Sequence, residues 1–332
     1  MTSVSINFLV HLLVRILLKF VQFWIQSLFS LTNPKEKPSI WFIVNPISGG
    51  KSKKALARKI AKYLDEQIFT YKILMTERKG HAREITLMAI KENIKFVCAV
   101  GGDGTIHEIG KELIHSNTTL CIIPKGSGNG IANHMGLYKK TKKAIQCINE
   151  QVITEIDTVA VNSSFFIGTS GFGIDALIAK RFDKGSKRGL KTYIKHSLKE
   201  FINLKPIWVQ IEALGQKIKV EAFMLCIANT SEFGNRFRIS PQSSVRDGML
   251  ELILVRPFPK WKAAIVTARF FGKNAHKSKY IETISASGGK IELSENRAHY
   301  DGEFVKEHKS ISFKVLPSSL KIVVPKNRLN KI

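Results

Sequence analysis

From Val4 to Leu31 the chain is strongly apolar, and the polar residues His11, Arg15, Lys19, Gln22 and Gln26 within it recur at steps of four, four, three and four. On a helix this spacing gathers the polar residues into one stripe, with Leu12, Leu13, Ile16, Leu17, Phe20, Phe23, Trp24 and Leu28 around the rest. Arg15 and Lys19 interrupt the middle of the run, where a spanning helix needs about 20 apolar residues. No basic residue precedes the run and no small-residue cleavage site follows it, so a secretion signal fits poorly. The pattern predicts, over residues 1–33, a helix lying in a membrane surface, with a tilted span or a helix packed on the protein's own body as the alternatives. Two prolines and three charges in Thr32–Pro38 then break it into a linker.

From Ser39 the pattern changes. Short runs rich in Ile, Val and Phe at Ile40–Val44, Tyr71–Met75, Phe96–Val100 and Leu120–Ile123 read as strands. Lys51–Leu64, His81–Lys91 and Ile106–His115 between them carry apolar residues at helical spacing. This alternation predicts a parallel sheet with crossover helices, an α/β domain over 39–158. After Glu150 the runs shorten and alternate with period two: Val159–Val161, Phe165–Ile167, Val209–Ala213, Phe223–Asn229, Leu250–Val255, Lys290–Leu293 and Ser310–Val315. A largely antiparallel β domain over 159–315 follows, with a last strand at Leu320–Val324 stopped by Pro325.

Three of the first four strands end in glycine-rich loops: Asn45-Pro-Ile-Ser-Gly-Gly-Lys51, Gly101-Gly-Asp-Gly-Thr105 and Pro124-Lys-Gly-Ser-Gly-Asn-Gly130. In an open α/β sheet, ligands bind beyond the carboxyl ends of the strands, and glycine turns there let backbone N–H groups approach phosphate oxygens. Any one loop could be only a tight turn; three on one edge, with Asp103, Thr105, Ser127 and Asn129 as polar tips, predict a polyphosphate site. None matches a Walker A motif or a G-x-G-x-x-G fingerprint.

The set V-N-P-I-S-G-G-K at 44–51, G-G-D-G-T-I-H-E at 101–108, P-K-G-S-G-N at 124–129, G-F-G-I-D-A at 171–176 and D-G-E at 301–303 resembles the diacylglycerol kinase catalytic family. That family includes bacterial lipid kinases and sphingosine kinases and is related to NAD kinases. The resemblance implies an NAD-kinase-like α/β domain, completed by 316–332, then a β-sandwich domain that takes the lipid. It implies ATP held by Asn45, Pro46, Ser48, Gly49, Thr76, Gly101, Gly102, Asp103, Gly104, Thr105, Gly126, Ser127, Gly128 and Asn129, with Asp103 close to Mg²⁺. Glu303 is the preferred general base with Asp301 beside it, and Asp103 is the alternative base. Asp175 matches a position where sphingosine kinases keep an acid near the substrate. Asp247, with backbone carbonyls near Ser244 and Met249, matches a structural Mg²⁺ site of some bacterial members; a turn opening the next strand explains the same residues. His107 stands where many bacterial relatives have Asn.

The implied reaction is phosphorylation of diacylglycerol to phosphatidic acid. A sphingoid base or ceramide is the variant acceptor, an NAD kinase the rival enzyme, and a non-catalytic membrane or nucleic-acid binder the rival of another class. The 332 residues carry 52 Lys+Arg against 26 Asp+Glu, a net charge of +26 that calls for an anionic partner. Lys180, Arg181, Lys184, Lys187, Arg188, Lys191, Lys195 and Lys199 concentrate it in one run that suits either a solvated face or an anionic leaflet. No nucleic-acid motif is present, and the basic runs lack interleaved aromatic residues. The expected location is cytoplasmic, peripheral to the inner membrane face, with a homodimer left open. Cys98, Cys121, Cys147 and Cys226 share no metal spacing and read as buried, reduced thiols.

Overall fold

The first four strands are β1 (Ser39–Val44), β2 (Thr70–Met75), β3 (Phe96–Gly101) and β4 (Thr119–Pro124). β1, β3 and β4 are buried along nearly their whole length, as strands covered on both faces must be. Between them run α1 (Lys53–Tyr63), α2 (His81–Lys91) and α3 (Asp103–Leu113), and α4 (Gly130–His134) and α5 (Thr141–Glu150) follow β4. The order β2-β1-β3-β4 is parallel throughout, so the glycine-rich strand ends share one edge. In this computed structural model residues 19–21, 24, 37–48, 53–184, 205–272 and 274–332 are described. The expected amphipathic helix beyond those four residues, Gly49, and the Lys187–Lys199 part of the basic run lie outside them.

The second lobe continues with β5 (Ile153–Val161), β6 (Ser164–Phe166), β7 (Thr169–Gly173), α6 (Ile174–Lys184), β8 (Ile207–Ala213), β9 (Gln216–Ala222) and β10 (Met224–Ala228). After β11 (Leu250–Val255) come α7 (Ala263–Phe271), β12 (Ile281–Ala286), β13 (Gly288–Leu293), β14 (Arg297–Tyr300), β15 (Glu303–Lys306) and β16 (Ser310–Val323). One antiparallel sheet has the order β12-β11-β10-β7-β14-β15. It packs over Phe166, Phe172, Val209, Leu225, Leu252 and Phe313 against the extension β16-β13-β8-β9 of the first sheet. The fold is thus α/β followed by a β-sandwich. Both faces of β10 are covered: Leu225 and Ile227 enter the sandwich core, whereas Cys226 and Ala228 face a second core that α7 closes with Val266 and Phe270.

β16 is one strand, not the two expected at Ser310–Val315 and Leu320–Val324. Its register against β5 shifts between Leu316 and Leu320, a bulge that accommodates Pro317 without ending the ladder. Asp157 pins that bulge, accepting the Ser318 N–H on Oδ1 and the Gly248 N–H on Oδ2, each at 2.8 Å. Beyond it Ile322 pairs in parallel with Leu120 of β4, returning the chain to the first lobe. The four cysteines are buried and unbridged. No helix among the described residues is long and apolar enough to cross a membrane.

Candidate active site

Asn45 follows β1 and folds its loop: Oδ1 accepts the Ile47 N–H at 3.0 Å, and Nδ2 donates to Thr105 Oγ1 at 3.2 Å. The loop after β3 tightens straight into α3, because the Thr105 and Ile106 N–H groups both bond to the Gly102 carbonyl. That draws Asp103 into the first helical turn, three residues before the start expected from periodicity. The β3 and β4 loops then touch backbone to backbone. A Cβ on Gly126 would stand 2.6 Å from Gly102 Cα, too close for any real contact. Gly126→Ala is therefore expected to separate these two loops and, for the ATP that the family resemblance implies there, to raise the KM about tenfold or more with little change in the KM for the second substrate; steady-state kinetics with each substrate varied would check it.

Asp103 Oδ2 accepts the Asn129 N–H at 2.7 Å, while Oδ1 is buried without a hydrogen-bond partner. Burial pushes this carboxyl up to about 7; the Asn129 N–H opposes the shift and the charge of Asp301 adds to it.

Across the cleft β14 and β15 form a hairpin whose turn residues, Asp301 (φ 49) and Gly302 (φ 88), are both left-handed, the type I′ arrangement. Asn-Gly would serve such a turn equally well, so the turn does not explain the acid. Its carboxylate does: Oδ1 accepts the N–H groups of Gly168 at 2.7 Å and Thr169 at 3.0 Å, and Oδ2 accepts those of Ile167 at 2.9 Å and His107 Nδ1 at 2.8 Å. Burial alone would raise the Asp301 pKa, but the His107 bond and charge, with the backbone N–H groups, hold it below the usual carboxylate value. Four donors fill the four acceptor sites of a carboxylate. With its acceptor sites filled, Asp301 stands beside Glu303 as the group that positions the hairpin.

Glu303 opens β15 with its side chain 29% exposed, 3.7 Å from Lys79 Nζ. Its Oε1 faces the G-G-D-G-T loop, 3.8 Å from where a Cβ on Gly104 would lie. Beside it, His299 Nδ1 accepts the Gly302 N–H at 3.2 Å, so the ring proton sits on Nε2, which donates to Asp175 Oδ2 at 2.7 Å. A Cβ on Gly171 would overlap Asp175, which is why G-F-G precedes this acid.

These groups line one cavity of about 1020 Å³. Asn45, Pro46, Ser48, Thr76, Gly102–Thr105, Gly126–Gly128, Asp175, Asp301 and Glu303 all face it. Gly101 ends β3 behind the loop, and Asn129 enters through its backbone bond to Asp103. Asp247, Ser244 and Met249 stand elsewhere: Asp247 Oδ1 accepts the Met249 N–H at 3.0 Å, and the Ser244 hydroxyl donates to the Ile332 carbonyl at 3.2 Å. The Asp247 contact is that of a turn opening β11, and the Ser244 contact ties that turn to the last residue of the chain. Periodicity missed Arg78 and Lys79, which follow β2 into the cavity, and the apolar wall of Ile178, Ala179, Phe233 and Phe237. The run E-R-K-G closing a strand on the loop edge was the available signal for the cations. For the aromatic wall there was none.

Two family models match the chain: a diacylglycerol kinase catalytic domain over residues 39–161 and a YegS C-terminal NAD kinase beta sandwich-like domain over 168–324. The chain belongs to the diacylglycerol kinase catalytic family. Membership makes it a kinase. It is 28% identical over 272 residues to the diacylglycerol kinase of Bacillus subtilis (strain 168), covering 79% of this chain and 88% of that one. It is 29% identical over 225 residues to the lipid kinase YegS of Escherichia coli (strain K12), covering 65% of this chain and 74% of that one. A crystal structure of a diacylglycerol kinase from Bacillus anthracis str. Sterne superposes with a TM-score of 0.69 at 18% identity, covering 89% of this chain and 99% of that one, and so shares the fold. The family boundary between the two models falls at β6, where the first sheet gives way to the sandwich.

Proposed function

We propose that this kinase transfers the γ-phosphoryl group of ATP to a hydroxyl of a membrane lipid, diacylglycerol foremost, at the cytoplasmic face of the membrane. The observation that carries the reading is the approach of Glu303, from the sandwich lobe, to the loop of Gly104 on the α/β lobe. It brings one accessible carboxylate against the loop edge where the transferring phosphate would sit. In this reading residues 39–158, with 316–332, hold ATP on the three glycine loops, and 159–315 hold the lipid against Ile178, Phe233 and Phe237.

Glu303 accepts the proton of the lipid hydroxyl as it attacks, since a neutral hydroxyl is a weak nucleophile. Backbone N–H groups of the glycine loops, with Arg78 and Lys79, orient the phosphates and stabilise the charge on their oxygens. Asp103 Oδ1, buried on these loops without a donor as Asn129 Oδ1 also is, is the charged one of the two and fits a divalent cation held through one carboxylate and water. Mg²⁺ bound there would supply charge neutralisation at the phosphoryl group.

Transfer of radiolabelled phosphate from ATP to diacylglycerol, ceramide, sphingosine and NAD in mixed micelles tests the reading. Diacylglycerol is expected to label fastest, and Glu303→Gln to lower its kcat about a hundredfold with the KM for ATP unchanged. Labelling of NAD and of no lipid overturns the proposal, as does full activity of the Glu303 variant.

A further inference from the structure

The buried face of α7 is set by Ala263, Val266 and Phe270. Its opposite face is not polar, as that of an ordinary solvated helix would be. Trp261 in the preceding 3₁₀ turn (Lys260–Lys262) is 73% exposed and Ile265 is 56% exposed. Ala264 and Ala268 are exposed as well, so an apolar stripe runs along positions 261, 264, 265 and 268 with nothing packed on it among the described residues. Its flanks are basic. The Lys262 Nζ lies 4.8 Å from the Trp261 ring centroid, Arg269 borders the far end, and Lys277 and Lys279 follow in the next turn. From Leu252 to Ile281 the chain carries Arg256, Lys260, Lys262, Arg269, Lys273, Lys277 and Lys279 and no Asp or Glu.

We infer that this face of α7 is a docking surface for an anionic lipid bilayer, with Trp261 and Ile265 inserting at the level of the headgroups and the lysines and arginine around them facing the leaflet. Three features select this occupant. An indole flanked by cations matches the interface, where amphipathic rings concentrate and Lys and Arg meet anionic headgroups. A stretch of this length free of acids complements a surface of uniform negative charge. The helix also backs the cavity: Phe237, in the cavity wall, stacks on Phe270 at 4.8 Å and meets Phe271 edge-on at 5.3 Å. One layer of rings therefore separates the docking face from the apolar part of the site. None of its residues belongs to the N-terminal segment or to the basic run Lys180–Lys199. It goes beyond the proposed reaction and does not depend on which acceptor is phosphorylated.

The four native cysteines are buried, so an environment-sensitive fluorophore on Ile265→Cys in the full chain reports this helix alone. On vesicles of phosphatidylcholine with phosphatidylserine, its emission is expected to shift to the blue and at least double in intensity. Neither pure phosphatidylcholine vesicles nor heparin should produce that response. Lys262→Gln with Arg269→Gln is expected to weaken the response on the order of 25-fold, about fivefold for each cation lost near the surface. An unchanged label on anionic vesicles overturns the inference, whether or not the protein sediments with them. An equal response to heparin reassigns the face to a soluble polyanion. Because the readout needs no turnover, failure of insertion and failure of lipid phosphorylation are separate results.

Discussion

Replacing Asp103 by Asn should lower phosphoryl transfer by about a thousandfold and, in the same protein, raise the melting temperature by several degrees at about pH 8. Both effects come from one geometry. The carboxylate lies among the glycine loops with Oδ1 unpartnered, the arrangement expected of a group kept for a ligand. Without the ligand that arrangement costs stability. The folded-state carboxyl takes up its proton at about 7 against 3.8 for an unperturbed Asp. Between those values the folded state binds more protons than the unfolded one, so this group's contribution falls as pH rises and is lost once pH exceeds about 7. The deficit is on the order of 4 kcal/mol for the bare ionised carboxylate. Asn keeps an oxygen for the Asn129 N–H and carries no charge, so the variant gains most at high pH and little at pH 4. Thermal unfolding from about pH 4 to 8, in chelator, measures this. A variant that melts at or below the wild-type temperature at every pH would refute the account of Asp103, and retained activity would refute its role.

Asp301→Ala is expected to cost at least about 4 kcal/mol in urea unfolding and to abolish transfer. The substitution strands three backbone N–H groups, those of Ile167, Gly168 and Thr169, together with Nδ1 of His107, whose side chain is 5% exposed. Each orphaned buried donor costs roughly 1–3 kcal/mol, offset in part by relaxation. The Asp301 carboxyl is held below its usual value, so its contribution is present above the unfolded value of 3.8 and is lost only as pH falls through the lower folded value. The gap between wild type and variant should therefore persist across neutral pH and close in strong acid. His107→Asn, which keeps a donor, should retain most of the stability that His107→Ala loses. A loss under 1 kcal/mol for Asp301→Ala would show that the hairpin is held by other contacts.

The α/β lobe was legible because its signals are local. Helix α2 coincides with the periodic segment His81–Lys91, and three glycine loops had to share an edge once the strands were parallel. The sandwich was legible only in part. Thr169–Gly173 is not among the expected strands, yet it is the strand β7 in the middle of the antiparallel sheet, where Gly171 makes room for Asp175 and His299. In Arg297–Lys306 the Asp-Gly pair suits an ordinary hairpin turn, which the structure forms, but a turn signal does not tell the two acids apart. Asp301 and Glu303 look equivalent in the sequence, one on either side of a glycine. The hairpin turns Asp301 inward to four donors and leaves Glu303 facing the cleft.

By itself, then, the sequence determined the class of each lobe, the edge where phosphate would bind and the family of the enzyme, since periodicity, turn residues and motif order are carried by neighbours along the chain. Its net charge of +26 raised the expectation of an anionic partner. Only the tertiary structure decided which carboxylate has free lone pairs, because His107 and Asp301 meet across 194 residues and their bond is invisible to any local pattern. It likewise separated the two faces of α7. An apolar position reads the same whether it is buried or not, and only the packing of Val266 and Phe270 leaves Trp261 and Ile265 as the ones without cover.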